Sequence, residues 1–463
     1  MKQKKYFLII AAAFIGFSSC KKDLNLQPND TFNESNAFVS LADIQLGTNE
    51  AYGRYGSYAN EMYVSALLSD EAKLGADNAG QGALTYRYQS GSSSGDLSGS
   101  WVGNYASIDQ ANRVFKYIPT ITVTPAEEPR LAVLKAQLTA LRGIAYFHLL
   151  QSYSKNYDAA DTRGVPIVLE PSPLGQPARN TMGEVMDRIE TDLAAAKAAL
   201  PAVTAATFTD TVMNKINVAA FQARVALYKG DYDAAITFSS EVINSGIKPL
   251  VTGSDFADIW NDFNDYETLF RIRYATSTTI GSLWTTTGSS IYIAPSDKLV
   301  ASYDVSDIRK AAYIGTTAAG NNYVNKFFVS SRGGRVVDMK ACRISEMYLI
   351  RAEAYAKRAT PDLTAGAADL NLLRSNRIFG YINQTFASAA TLVDAVLNER
   401  FKELAFEGFR FFDLKRNNLP VARLASDAAS AWQNLAASSY LFVLPIPSDE
   451  MLANSNMVQN DGY

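Results

Sequence analysis

The stretch Leu397–Arg416, LNERFKELAFEGFRFFDLKR, restricts the fold of this chain more than any other part of it. Leu397, Phe401, Leu404 and Ala405 recur at helical spacing, which defines one buried stripe. Glu399, Glu403 and Glu407 stand four residues apart, so their carboxylates stack along one helix face. Arg400, Lys402, Arg410, Lys415 and Arg416 are the available counter-charges. Gly408 is placed to end the helix, with Phe409, Phe411 and Phe412 packing the turn beyond it. Spacing alone leaves two readings open. Paired glutamates can act as acid and base in hydrolysis, or glutamate and arginine can pair inside a helical stack and fix its register.

The rest of the composition narrows the chemistry. The chain has 463 residues, 48% of them hydrophobic, enough for a large core or two subdomains. Its net charge of −3 offers no basic face for nucleic acid. His148 is the only histidine, which excludes multi-histidine metal sites and argues against a histidine triad. It lies in the apolar run IAYFHLLQSY and reads as a core or groove residue. Cys20 and Cys342 are the only cysteines, so disulfides are not expected to hold the fold. Asp255, Asp258, Asp262 and Asp265 are closely spaced acids, but they match no calcium-loop pattern and read as a solvated acidic face. Neither a metal nor a cofactor is expected.

The N-terminus reads as an export signal over residues 1–19. Lys2, Lys4 and Lys5 precede the apolar run Phe7–Phe17, whose 11 residues are too few to span a bilayer. The run leads through Ser18 and Ser19 into Cys20, as in a bacterial lipoprotein signal whose cysteine becomes the acylated first residue. An ordinary signal peptide with an incidental cysteine is the alternative. Acyl chains on Cys20 would anchor the protein without a transmembrane helix. Residues 20–36 are polar, contain Pro28 and read as a tether.

Helical period dominates the chain beyond the tether. Helices are expected over Ala37–Tyr55, Met62–Asp77, Trp101–Ile118 and Ala126–Tyr153, with a Gly- and Ser-rich loop at Gln81–Ser100. Thr181 and Glu184 form a capping box for Met182–Leu200. In residues 216–245 two helices flank Gly230-Asp231-Tyr232, and Ala223 and Ala235 stand at the small-residue spacing of tetratricopeptide repeats. A second such pair spans 341–377, with Pro361 at its corner. Residues 246–340 change character. Glu267–Tyr274 alternates like a strand, and Asn322–Phe328 and Arg335–Met339 are further short strand candidates.

Taken in order, several of these stretches resemble SusD/RagB-type outer-membrane nutrient-binding lipoproteins. They are the Cys20 signal, the Trp101–Asn112 segment, LTALRGIAYFHLLQSY at Leu138–Tyr153 and Gly164-Val165-Pro166. The Gly230-Asp231-Tyr232 corner, RISEMYLIRAEAYA at Arg343–Ala356, FFDLKR at Phe411–Arg416 and the segment from Leu444-Pro445-Ile446-Pro447 to Tyr463 complete the set. The resemblance implies a mainly α fold, with a frame of tetratricopeptide-like helical pairs and a loop-rich, variable ligand-binding half containing a few short strands. In residue ranges, a helical region covers 37–245, a variable insert 246–340 and a C-terminal region 341–463. It also implies a lid over a SusC-like TonB-dependent transporter, with oligosaccharides, or in some members peptides, as cargo. It shifts Glu399, Glu403, Glu407 and Arg410 from a hydrolytic role, as in a glycoside hydrolase, to ion pairing within the frame. Glu346, Arg351 and Glu353 go with them.

Sugar recognition needs flat apolar faces for pyranose rings and planar polar groups for hydroxyls. Trp101, Asn104 and Tyr105, after the Gly- and Ser-rich loop, are the first candidates, although a core tryptophan at a helix start is a rival reading. Trp284 and Tyr292 in the insert come next, with Tyr86, Tyr88, Asp70 and Glu71 as neighbours. Trp260 and Trp432 read as core and helix packing.

Overall fold

The computed structural model describes residues 37–275, 279–284 and 290–463. The signal, the tether and Cys20 lie outside them. Helix α1 (Leu41–Tyr55) starts where Ser40 and Asp43 close a capping box, and α2 (Tyr58–Leu68) comes after a tight turn. Next come α3 (Gly95–Tyr117), α4 (Glu128–Tyr153) and α5 (Met182–Ala199). Thr181 and Glu184 form the box at the start of α5 that their spacing predicts. Helices α6 (Lys215–Lys229) and α7 (Tyr232–Asn244) turn at Gly230, whose φ of 85° is left-handed and suits glycine. Ala223 and Ala235 are fully buried where these two helices meet. After α8 (Gly253–Trp260), α9 (Ile344–Lys357) and α10 (Leu363–Ser375) form the second pair. A Cβ on Gly366 would come within 2.8 Å of Leu392 Cδ2 and 3.0 Å of the Ala352 carbonyl, so this pair closes only over a glycine. Helices α11 (Ala389–Glu403) and α12 (Arg410–Arg416) complete the set.

These helices pack in sequence, α3 on α4, α4 on α5, α6 on α7, α7 on α9 and α9 on α10. The chain is thus mainly α, in keeping with expectation. Its strands are short and pair antiparallel in twos. β1 (Ala72–Leu74) pairs with β3 (Ile293–Pro295), and β2 (Thr268–Ile272) with β6 (Met339–Arg343). β4 (Ile314–Thr316) pairs with β5 (Asn322–Val324). Several boundaries differ from expectation. The helix expected over Met62–Asp77 ends at Leu68, with Ala72–Leu74 a strand, and the strand expected over Arg335–Met339 begins only at Met339. Much of the Gly- and Ser-rich run 81–100 is helical, because α3 begins at Gly95 and a short helix covers Ala83–Tyr86. The helix carrying the glutamate ladder ends at Glu403, one turn before Gly408.

Tertiary partners explain that early ending. Lys326 donates to the Ala405 carbonyl at 2.8 Å, the Phe406 amide donates to Glu71 at 3.2 Å, and Tyr58 donates to the Glu407 carbonyl at 2.9 Å. Backbone groups satisfied in this way lose nothing by leaving the helix. Phe406 even takes a positive φ of 66°.

The ladder's side chains are enclosed by cations. Glu403 is fully buried and accepts from Arg343 at 3.0 Å, Arg377 at 3.0 Å and Arg309 at 3.1 Å. Glu399 accepts from Arg374 at 2.6 Å and Arg309 at 2.5 Å. Glu407 accepts from Arg343 at 2.8 Å and Lys326 at 2.6 Å. Arg377 and Arg343 also reach Glu267, at 2.7 and 3.3 Å. Arg410 holds Asp70 in a two-bond fork at 2.7 and 3.0 Å. Arg416 pairs with Glu353, Arg224 with Glu346 and Arg351 with Asp369, all at 2.7 Å. Burial alone would raise the Glu399 carboxyl, but Arg309, Lys402 and Arg374 outweigh it and bring it down to about 2. The same balance, through Arg377, Arg343 and Arg309, holds Glu403 well below the ordinary carboxylate range. A general acid needs the opposite shift.

Removing one partner of a buried pair leaves the other charge stranded, at a cost of about 3–5 kcal/mol. Glu403→Ala is therefore expected to lower unfolding free energy by that amount in urea denaturation; a loss below about 1 kcal/mol would contradict the structure.

Glu71 behaves in the opposite sense. Desolvation outweighs the Phe406 amide, Arg410 and Lys326 and pushes its carboxyl up to about 8, and its Oε1 has no hydrogen-bond partner among the described residues. Between the ordinary carboxylate range and about pH 8, the folded chain keeps a proton that the unfolded chain has lost. Stability from this group therefore falls as pH rises. Buried Lys326 and Lys415, pulled down by desolvation to about 8 and about 7, act in the other direction. Comparing variant and parent at each pH cancels them. Relative to the parent, Glu71→Gln should gain at least about 1 kcal/mol between about pH 5 and about pH 8. Parallel denaturation curves would show a constant difference if Glu71 were ionised in the fold.

Candidate functional site

Three of the residues singled out for ligand contact belong to the core. Trp101 on α3 is 4% exposed, its ring edge-on to Tyr153 at 5.0 Å and beside Tyr105 at 4.8 Å. Asn104, one turn on, donates to Glu61 at 2.7 Å and to the Ser100 carbonyl at 2.8 Å. Trp284 is 1% exposed and packed among Tyr63, Phe327 and Phe406. A stacking platform needs one ring face open to solvent, which neither tryptophan offers. The expectation is corrected accordingly: the helical period that runs through Trp101 carries it inward.

Tyr105 is half-buried and donates to the Pro166 carbonyl at 2.8 Å, so its hydroxyl is already engaged. Tyr292 is half-buried on the strand side. Its amide donates to the Trp284 carbonyl at 3.0 Å, and its own carbonyl accepts from Gly75 and Asn78 at 2.8 and 2.9 Å. The backbone of Tyr292 is thus pinned while its ring stays partly open.

A second aromatic lies on the same non-helical side. Trp432 sits in a single 3-10 turn, Ser430–Trp432, not in a packing helix, and is half-buried. The Arg87 guanidinium lies 4.9 Å from its ring centroid, within cation–π range. Arg87 Nε is buried with no hydrogen-bond partner among the described residues. Arg423 ties the neighbourhood together. It donates to the carbonyls of Leu67, Ser69, Tyr86 and Trp432 at 2.6, 2.8, 2.7 and 2.9 Å, with its plane over the rings of Tyr86 and Tyr88. The Asp297 amide donates to Asp427 at 2.6 Å and β1 pairs with β3, so the loops that carry Arg87, Tyr292 and Trp432 share one scaffold. Leu84 and Leu424 are exposed beside them in sequence. The Trp432–Arg87 pair offers a ring beside a planar cation, which suits a ligand with both C–H faces and hydroxyls.

Trp432 escaped sequence reading because SAWQNLAA, residues 430–437, is mostly helical in composition. Ser426-Asp427 and Asn434, all turn formers, were the available signal. The acidic run also needs correction. The Asp262 side chain is buried, accepting from Arg332 at 2.7 Å, from the Asp338 amide at 2.9 Å and from Lys340. Among the described residues no group of three acids, histidines or cysteines is placed to hold a metal. His148 is buried between Glu61, 2.9 Å from Nδ1, and Tyr55, 3.3 Å from Nε2.

Comparison with known proteins bears on both halves of the chain. A model of the SusD family matches residues 273–463, and a SusD-like model described as starch-binding and associating with the outer membrane matches residues 22–227. SusD-like protein P2 of Formosa agariphila is 25% identical, and the match covers 100% of each chain. A solved protein from Bacteroides vulgatus ATCC 8482 superposes with a TM-score of 0.80 at 26% identity, over 92% of this chain and 99% of its own. A laminarin-binding SusD-like protein shares the fold at a TM-score of 0.72 and 21% identity, over 92% and 100% of the two chains. With SusD-family models matching residues 22–227 and 273–463, and a solved protein sharing the fold over 92% of the chain, the chain is a member of the SusD-like family.

Proposed function

We propose that this protein captures oligosaccharides at the cell surface and passes them to a SusC-like TonB-dependent transporter, held at the outer membrane by lipid on Cys20. The observation that carries the reading is the family match over residues 22–227, described as starch-binding and outer-membrane-associating. The laminarin ligand of a neighbour with the same fold supports a glycan, and so does the Trp432–Arg87 pair. Tyr292 is the second proposed contact. Binding without catalysis fits the glutamate ladder, whose carboxylates are held by arginines and carry lowered pKa values. Among the described residues no helix is long and apolar enough to cross a membrane.

Isothermal titration against laminarin and starch oligosaccharides, with a peptide panel beside them, tests the ligand class. Binding to peptides alone would move the cargo from sugar to peptide. Trp432→Ala should weaken glycan binding by at least about tenfold, or about 1.4 kcal/mol, with thermal stability unchanged. Trp101→Ala should instead lose about 3–5 kcal/mol of stability through the cavity it leaves. Glycan affinity unaffected by Trp432→Ala would remove that ring from the site. Separately, Cys20→Ala should release the protein from washed membranes, and retention there would refute the lipid anchor.

A further inference from the structure

We propose that the cavity enclosed by α4, α5, α6, α9 and α12 binds a small organic carboxylate with an apolar, preferably aromatic, body. The cavity measures about 230 Å³ and opens beside the Gly230 corner, on the helical frame and away from the strands. Phe147, Met186 and Phe412 give it an apolar floor. Five cations line it, Lys155, Lys229, Lys357, Lys415 and Arg416, and no carboxylate does.

Four of these cations already have an acid behind them. Lys155 pairs with Asp461 at 3.0 Å, Lys229 with Glu190 at 2.8 Å, and Lys357 and Arg416 share Glu353 at 2.9 and 2.7 Å. Lys415 is different. It is 8% exposed, donates to the backbone carbonyls of Gln151 and Ser154, and among the described residues has no carboxylate at ion-pairing distance. Two of its three ammonium protons are thus placed and its charge is uncompensated. Tyr228 lines the same cavity, and its hydroxyl is buried with no hydrogen-bond partner among the described residues. A buried donor and a buried charge left unmatched are each costly. A carboxylate in the cavity would neutralise Lys415, and Tyr228 lines the space it would occupy. Desolvation already pulls the Lys415 ammonium down to about 7, the strain that an anion would relieve.

The rest of the cavity selects the body of that anion. Inorganic phosphate would leave Phe147, Met186 and Phe412 facing water, whereas an aromatic acid covers them. The volume lies below the usual range for drug-sized ligands, so the occupant is small. Neither the strand-side face nor Trp432 takes part, and the two sites are separable.

Benzoate and its uncharged isostere benzamide are suitable probes, titrated into the full-length chain and monitored by saturation-transfer NMR. Benzoate should bind at least about tenfold more tightly than benzamide. Met186→Trp, which fills the floor, should abolish benzoate binding, and Lys415→Met should erase the preference for the acid. Because Lys415 also holds two carbonyls, Tyr228→Phe is the safer companion. It removes only the unmatched hydroxyl, so benzoate should weaken several-fold while the melting temperature holds. Trp432→Ala should leave benzoate binding intact even where glycan binding is lost. Equal binding of acid and amide, no binding of either, or benzoate binding that survives Met186→Trp would overturn the proposal.

Discussion

Glu403 and the three guanidinium groups around it set the terms for the rest of this structure. Arg343 ends β6, Arg377 lies just past α10 and Arg309 begins a short helix at Ile308–Tyr313, so one carboxylate on α11 joins four separate segments. Glu267, immediately before β2, shares two of the same arginines. A buried array of this kind is weak evidence for stability, since hydrophobic residues of similar volume could pack as well. Its effect is geometric. Fork-shaped donors accept few arrangements, so these segments meet in one register or leave charges stranded.

That constraint explains how irregular chain can lie on a regular frame. Residues 246–340 contain only short helices and two- to five-residue strands, too little regular structure to hold itself together. Arg309 and Lys326 within it, and Arg343 just past its end, tie it to α11 and the turn after it. Lys326 is sandwiched as well as paired, 4.0 Å from the Trp260 ring and 3.8 Å from that of Tyr313. With its middle and its C-terminal end fixed in this way, the surface loops between them need carry no structural load. Loops on a rigid support are where recognition is usually built.

Much of the frame was legible because helices announce themselves locally. The capping box at Thr181, the glycine corner at Gly230 and the paired alanines 223 and 235 all depend on neighbours within a turn or two, and all fall where the sequence puts them. The end of the ladder helix was not legible. It depends on Lys326, Glu71 and Tyr58, which reach residues 405–407 from distant parts of the chain. Ligand-facing aromatics were the least legible. Period and composition placed Trp101 near a loop and Trp432 in a helix, but whether a ring shows a face depends on what packs against it. For Trp101 that is Tyr153, and for Trp432 it is Arg87 alone among the described contacts.

The motif FFDLKR shows how one short run can serve frame and cavity together. Asp413 and Arg416 are spent on neighbours, with Arg400 on one side and Glu353 on the other. Lys415, between them in sequence, points its ammonium at two carbonyls near the end of α4 and faces a cavity that contains no acid. If the motif existed only to lock helices, an uncharged donor there would cap those carbonyls without the cost of a buried cation. A lysine is the more expensive choice by physical reckoning, and its charge has a use only when something negative comes within reach. The frame that fixes the loops therefore also presents a charge of its own, in a cavity that neither Trp432 nor Tyr292 lines.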